Sequence, residues 1–88
     1  MKDYLGEMRS FAAVIENGGF TQAAKVLGVS KGLISQHVKR LESELGAQLL
    51  FRSTRKVEPT EIGTTFLEYC QNITQSATAA FEAVEALR

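Results

Sequence analysis

One histidine, one cysteine and one proline are all that 88 residues contain of those three types, and the charged side chains cancel to a formal net charge of zero. Each shortage removes a class of function. The lone Cys70 makes no intramolecular disulfide and no metal cage. With His37 as the only imidazole, most hydrolase and zinc chemistry has neither base nor ligands to work with. A Cys70–His37 nucleophile pair remains formally open, but nothing around either residue supports it; Cys70 reads as a small core hydrophobe. Long uncharged apolar runs are also missing. The longest helix-like stretch is interrupted by Glu68, Glu82 and Glu85, so no membrane span is expected. Met1-Lys2-Asp3-Tyr4 starts no apolar secretion signal, which points to the cytoplasm. No enzyme, no cofactor and no metal is expected.

What is present is unevenly distributed. Residues 1–30 carry Lys2, Arg9 and Lys25 against Asp3, Glu7 and Glu16, a balance of zero. Residues 31–56 carry Lys31, Lys39, Arg40, Arg52, Arg55 and Lys56 against Glu42 and Glu44, six minus two, or +4. Residues 57–88 carry Arg88 against Glu58, Glu61, Glu68, Glu82 and Glu85, one minus five, or −4. A whole-chain pI of about 6.6 argues against a nucleic-acid binder, but it hides a basic middle third. A chain this short buries only a modest core, so a partner subunit is expected.

Apolar spacing predicts helices. Leu5, Met8, Phe11, Ala12 and Ile15 recur at steps of three and four and form one face, which Asn17-Gly18-Gly19 ends. A short helix from about Thr21 to Leu27 turns Ala23, Ala24 and Leu27 inward, and Phe20 staples its start. Gly28 stops it, Val29-Ser30 is the turn, and Ser30 is a good cap for a third helix from about Lys31 to Glu44. The inward stripe of that helix is Ile34, Val38, Leu41 and Leu45, and Gly46 ends it. Two short runs, Leu49-Leu50-Phe51-Arg52 and Lys56-Val57-Glu58, flank Ser53-Thr54-Arg55 and suggest a small β-hairpin. Pro59 breaks that pattern and Thr60 caps a last helix.

Residues 20–39 read as a helix-turn-helix. Ala24 is small where two helices cross closely, Gly28 supplies a positive φ, and Val29 plugs the angle between the helices. With Ile34, Val38 and Leu41 inward, Gly32, Ser35, Gln36 and Lys39 face outward, and Lys31 and Arg40 lie towards the edges. No acidic residue enters that face before Glu42 and Glu44. Short polar side chains near a helix N-terminus suit base edges, and surrounding cations suit phosphates. Arg52, Arg55 and Lys56 at a hairpin tip would form a wing over the neighbouring backbone or minor groove. Thr21 and Gln22 open the second helix, whose N–H groups could hold a phosphate. His37, at the margin of the core, is read as a half-buried, hydrogen-bonded side chain, with a phosphate contact as the alternative.

The last helix carries Phe66, Cys70, Ile73, Ala77, Ala80, Val84 and Leu87 at alternating steps of four and three, a heptad-like seam. From Thr60 to Arg88 it would be roughly 40 Å long. Such a rod outruns the small domain before it, so its far half is expected to pair with the same helix of a second subunit, the alternative being a helix folded back on its own domain. Tyr69 lies near this seam.

From about Met8 to Ile73 the chain resembles the N-terminal domain of the LysR-type transcriptional regulators. The resemblance rests on Arg9-x-Phe11, Gly19-Phe20-Thr21-x-Ala23-Ala24, Leu27-x-Val29-Ser30, Ile34-Ser35, Leu41-Glu42, Glu44-Leu45-Gly46, Leu49-Leu50-x-Arg52, Arg55 and Thr60-x-x-Gly63. It implies an all-α fold with a small β-hairpin: a winged helix-turn-helix followed by a long linker helix that pairs antiparallel in a dimer. The family's DNA contacts carry over onto Ser30, Lys31, Gly32, Leu33, Ser35 and Gln36, and onto Arg52 and Arg55 in the wing. It also implies that the chain is the DNA-binding part of a longer regulator, whose inducer-binding domain is absent here. Two positions depart from the pattern. Family members often have proline where Gly32 stands and leucine where Pro59 stands. Glycine at 32 loosens the first turn and lets the backbone approach DNA more closely; Pro59 sharpens the start of the linker helix.

The expected organisation is thus a winged helix-turn-helix over 1–59, with the helix-turn-helix at about 20–39 and the wing at about 49–58, and a dimerisation helix over 60–88. The expected partners are double-stranded DNA and a second copy of the chain, with a higher oligomer and a small-molecule inducer belonging to the longer protein. The competing reading, motivated by the zero net charge, is a winged-helix protein-interaction module. It requires an apolar outward face on the third helix, which Lys31, Ser35, Gln36 and Lys39 do not provide.

Overall fold

The computed structural model describes residues 2–52 and 55–88. Four helices follow one another: α1 over Leu5–Glu16, α2 over Phe20–Leu27, α3 over Lys31–Leu45 and α4 over Glu61–Ala86. Their ends are set by local chemistry. The Leu5 amide donates to Asp3 Oδ1 at 2.9 Å, and the Asn17 side-chain amide donates to the Ala13 carbonyl at 2.8 Å, tying off the last turn of α1. Gly28 adopts the left-handed conformation at φ 69°, which lets Val29 N–H return to the Ala24 carbonyl at 3.0 Å. Ser30 Oγ then accepts from Leu33 N–H at 3.1 Å and starts α3. Thr60 has two duties: its Oγ1 accepts from Gly63 N–H at 3.0 Å, capping α4, and donates to the Gln48 carbonyl at 2.7 Å.

Helix α1 is the centre of the molecule, and α2, α3 and α4 all pack against it. Apolar spacing predicts a single buried face for it; the structure instead buries the consecutive residues Ser10, Phe11, Ala12, Ala13 and Val14. A helix surrounded on three sides has no solvent face over its middle turns, so a single-stripe pattern understates its burial. The ends of two expected stripes are open instead. Leu5 is 51% exposed and Leu45 is 46% exposed. Both border an apolar groove formed with Tyr4, Met8, Phe66 and Ile73.

The core joins Phe11 and Val14 to Ile34, Val38 and Leu41 of α3, to Leu49 and Leu50 of the following segment, and to Cys70 of α4. Phe66 stacks beside Phe11 with ring centroids 6.0 Å apart. The near half of α4, through Cys70, therefore belongs to the domain core. The heptad position of Cys70 puts it on the expected dimer seam; at 0% exposure it is unavailable to a second subunit, because the same periodicity first serves packing on α1.

The expected hairpin over 49–58 is reduced, among the described residues, to one antiparallel bridge between Leu50 and Pro59. Phe51 N–H donates to the Glu58 carbonyl at 3.0 Å and Thr60 N–H to the Leu49 carbonyl at 2.9 Å. Pro59 thus occupies a non-hydrogen-bonded position of the ladder, where its missing N–H costs nothing. The expected tip residues Ser53 and Thr54 lie outside the described residues. The far half of α4 extends beyond the core, and the molecule measures 49 Å along its longest axis.

Candidate nucleic-acid interface

Ala23 and Ala24 bring α2 against α3 with 0% and 7% exposure, and Ile34 and Val38 close the crossing from the other side at 0% and 1%. Small residues on one helix and branched ones on the other let the axes approach while α3 projects its opposite face. That face carries Lys31, Gly32, Leu33, Gln36 and Lys39 exposed, with Ser35 half-buried between them. Thr21 at the start of α2 and Ser30 at the turn are exposed beside it. No acidic side chain lies between Lys31 and Leu41, so the first turns of α3 present only neutral and positive groups.

Two of the expected cations are held elsewhere. Arg40 points to the start of the chain: its Nε lies 3.4 Å from Glu7 Oε2, and its guanidinium sits 5.3 Å from the centre of the Tyr4 ring. The Tyr4 phenol is raised from its ordinary 10.0 chiefly by a hydrogen bond to Glu44. Arg52 forms an ion pair with Glu42, whose side chain is only 11% exposed. Arg55 and Lys56, beyond it, are exposed. Counting charges around a helical wheel does not reveal Glu7 and Glu42 as partners, because neither is a helical neighbour of the arginine that it holds.

His37 is half-buried, and its Nδ1 lies 2.7 Å from Oγ of Ser10. The expected hydrogen-bonded histidine is present; its partner Ser10 carries no sequence signal beyond its place inside α1. On α4 the remaining seam positions separate. Phe66 is half-buried against Phe11, whereas Ile73, Ala77, Ala80, Val84 and Leu87 are exposed, Val84 by 55% and Leu87 by 88%. Phe81, not on the expected seam, is 78% exposed beside it.

A small helix-turn-helix with a basic recognition-type helix, a short bridged segment in the place of a wing, and a long protruding helix defines the class. The model of the bacterial regulatory helix-turn-helix proteins of the lysR family matches residues 5–64. The chain belongs to that family, as the sequence motifs imply, and its members and the relatives below are transcriptional regulators and not enzymes. It is 47% identical over 79 residues, 90% of its length, to the HTH-type transcriptional regulator ShiR of Corynebacterium glutamicum (strain R), covering 27% of that protein. It is also 47% identical over 75 residues, 85% of its length, to BudR of Klebsiella aerogenes, covering 52% of that one. The chain thus spans between about a quarter and about half of these relatives. Among solved structures, the BenM DNA-binding domain in complex with catB site 1 DNA superimposes with a TM-score of 0.83 at 32% identity, covering 99% of this chain and 94% of that one. The complex of the CbnR DNA-binding domain with DNA gives 0.77 at 36% identity, covering 99% and 98%. No helix among the described residues is long and apolar enough to cross a membrane.

Proposed function

We propose that this chain binds double-stranded DNA sequence-specifically, as the DNA-reading domain of a LysR-type transcription regulator. The observation that carries the reading is the outward face of α3. Its first turns offer Lys31, Gly32, Leu33, Ser35, Gln36 and Lys39 with no acidic side chain between them. Gln36 and Ser35 suit base edges in the major groove, the Leu33 side chain suits a thymine methyl, and Lys31 and Lys39 suit the flanking phosphates. Thr21 and Ser30 contribute polar groups at the two helix starts, where phosphate oxygens are favoured. Arg55 and Lys56 reach the adjacent backbone or minor groove from the wing segment. The similar structures that hold DNA support the same mode of binding.

The working unit is a homodimer joined through the far half of α4. Ile73, Ala77, Ala80, Val84 and Leu87, with Phe81 beside them, make an apolar stripe too long to leave in water on a small domain. Two recognition helices related by a twofold axis read an interrupted palindrome. The longer protein adds a domain that binds a small-molecule inducer, assembles further, and works in the cytoplasm where its DNA lies.

Selection of duplexes from a random pool, followed by anisotropy titrations at several salt concentrations, tests this. The expected result is an enriched interrupted palindrome, bound more tightly than its scrambled version, with affinity falling steeply as salt rises. Arg55→Ala should flatten that dependence. Affinity indifferent to salt and to sequence would defeat the reading.

A further inference from the structure

We infer that Glu42 is the positioning residue that sets the wing segment against the recognition helix, and that Arg52 acts through Glu42 and not on DNA. The inference rests on the DNA-binding reading above and assigns a role within it. Glu42 stands in the second half of α3, yet its carboxylate leaves the helix and serves the segment that follows. Oε2 accepts from Leu49 N–H at 2.8 Å and from Leu50 N–H at 3.4 Å, and Oε1 accepts from Arg52 Nη2. Leu49 and Leu50 are 0% and 2% exposed, so water has little access to their amides and an acceptor must be built in. One carboxylate supplies it, and as an ion it bonds about twice as strongly as a neutral amide oxygen would.

The consequences run in both directions along the chain. Downstream, Arg52 is held just before the segment that carries Arg55 and Lys56, so the ion pair fixes where those cations emerge relative to α3. Across the bridge, Leu49 passes the constraint on: its carbonyl accepts from Thr60 N–H at 2.9 Å, and Thr60 caps α4. A guanidinium paired with a carboxylate of 11% exposure gains little by exchanging it for a mobile phosphate. The usual reading, an arginine in a basic wing as a phosphate contact, therefore does not apply to Arg52.

The test uses the full chain and a mixed-sequence duplex, read by anisotropy across a salt series, with amide exchange measured by NMR without DNA. Glu42→Gln should weaken binding about tenfold. Arg52→Ala should weaken it a few-fold, and the double variant no more than Glu42→Gln alone. Glu42→Gln, which loosens the segment that carries Arg55 and Lys56, should lower the slope of log affinity against log salt by no more than Arg55→Ala does. Arg52→Ala should lower it by clearly less. Arg55→Ala should lower that slope by about 0.9 for each phosphate that the arginine neutralises. A comparable fall for Arg52→Ala, or additive losses in the double variant, would overturn the assignment. The exchange arm stands apart from DNA. Glu42→Gln should speed exchange at Leu49 and Leu50 while Phe11 and Val14 in α1 stay protected, and unchanged rates there would overturn the role of Glu42. If the unaltered chain bound no duplex at any salt, the DNA reading would fail while the exchange result still decided what Glu42 holds.

Discussion

Ser10 Oγ on α1 and His37 Nδ1 on α3 are joined by a 2.7 Å hydrogen bond behind the face that α3 presents outward. Ser10 is 2% exposed, the one buried polar side chain among the described residues. The pair fixes the rotation of α3 about its own axis, which apolar packing through Ile34 and Val38 alone would specify less sharply. Ser10→Ala leaves the imidazole nitrogen in a half-buried site without its partner. A loss of about 1–2 kcal/mol is expected, seen as a fall of several degrees in the thermal midpoint. Adding His37→Leu should restore part of it, since removing both polar partners relieves the unmet bond. An unchanged midpoint in Ser10→Ala would mean that water replaces the hydroxyl.

Two glycines inside helices, Gly63 in α4 and Gly32 in α3, should behave oppositely. A Cβ at Gly63 would fall on the Leu49 carbonyl, with the carbonyl carbon 2.9 Å away. That carbonyl cannot retreat, because the amide of Leu49 is bonded to Glu42 and its oxygen to Thr60. Gly63→Ala should cost about 3 kcal/mol or more in urea unfolding. At Gly32 the nearest atom to a new Cβ is Ser30 Oγ at 4.0 Å, so Gly32→Ala should stabilise the fold by up to about 1 kcal/mol. If Gly32 serves a close approach to DNA, the same change weakens binding while it raises stability. Improved stability with unaltered binding would remove Gly32 from the interface.

Helix limits are legible in the sequence because single residues decide them: Gly28 and Gly46 for endings, Ser30 and Thr60 for starts. The outward face of α3 is legible for a similar reason, since Ile34, Val38 and Leu41 fix the inward one. What cannot be read there needs three dimensions. Burial of Ser10 through Val14 follows from α1 being enclosed by three helices. The pairing of Arg40 with Glu7 and of Arg52 with Glu42 depends on how the segment ends pack. A heptad pattern gives a helix an apolar stripe but does not say whose surface meets it. Cys70 therefore lies in the core, and Val84 does not.

Burial also sets the chemistry of Cys70. Enclosed in the core, its thiol is pushed from an ordinary 9.0 up to about 11 by loss of solvation. Aromatic disulfide reagents should therefore leave the native chain untouched near neutral pH and label it at the rate of unfolding. The folded state holds this proton more tightly than the unfolded one, so the thiol's contribution to stability is present below about pH 9 and is lost as pH rises towards 11. Unfolding midpoints measured across that window should fall, and Cys70→Ala should flatten the decline. Rapid labelling of the native chain at neutral pH would show that the α1–α4 packing opens easily.

The far half of α4 runs past the domain core with its large apolar side chains in the open. Phe81 at 78%, Val84 at 55% and Leu87 at 88% exposure lie within two turns, while Glu82 occupies the opposite side. Burying such residues against a second copy gains roughly 1.5–3 kcal/mol for each large side chain, and a charge placed among them forfeits it. Val84→Glu should therefore weaken dimerisation at least about tenfold in sedimentation velocity. The circular dichroism of the helix-turn-helix should be unchanged, because Val84 lies far from the core. Glu82→Gln, on the other side of the helix, should leave the dimer intact. An undiminished Val84→Glu dimer would move the interface off this stripe and onto the open groove between Leu45 and Ile73, where Tyr4, Leu5 and Met8 are the residues to alter next.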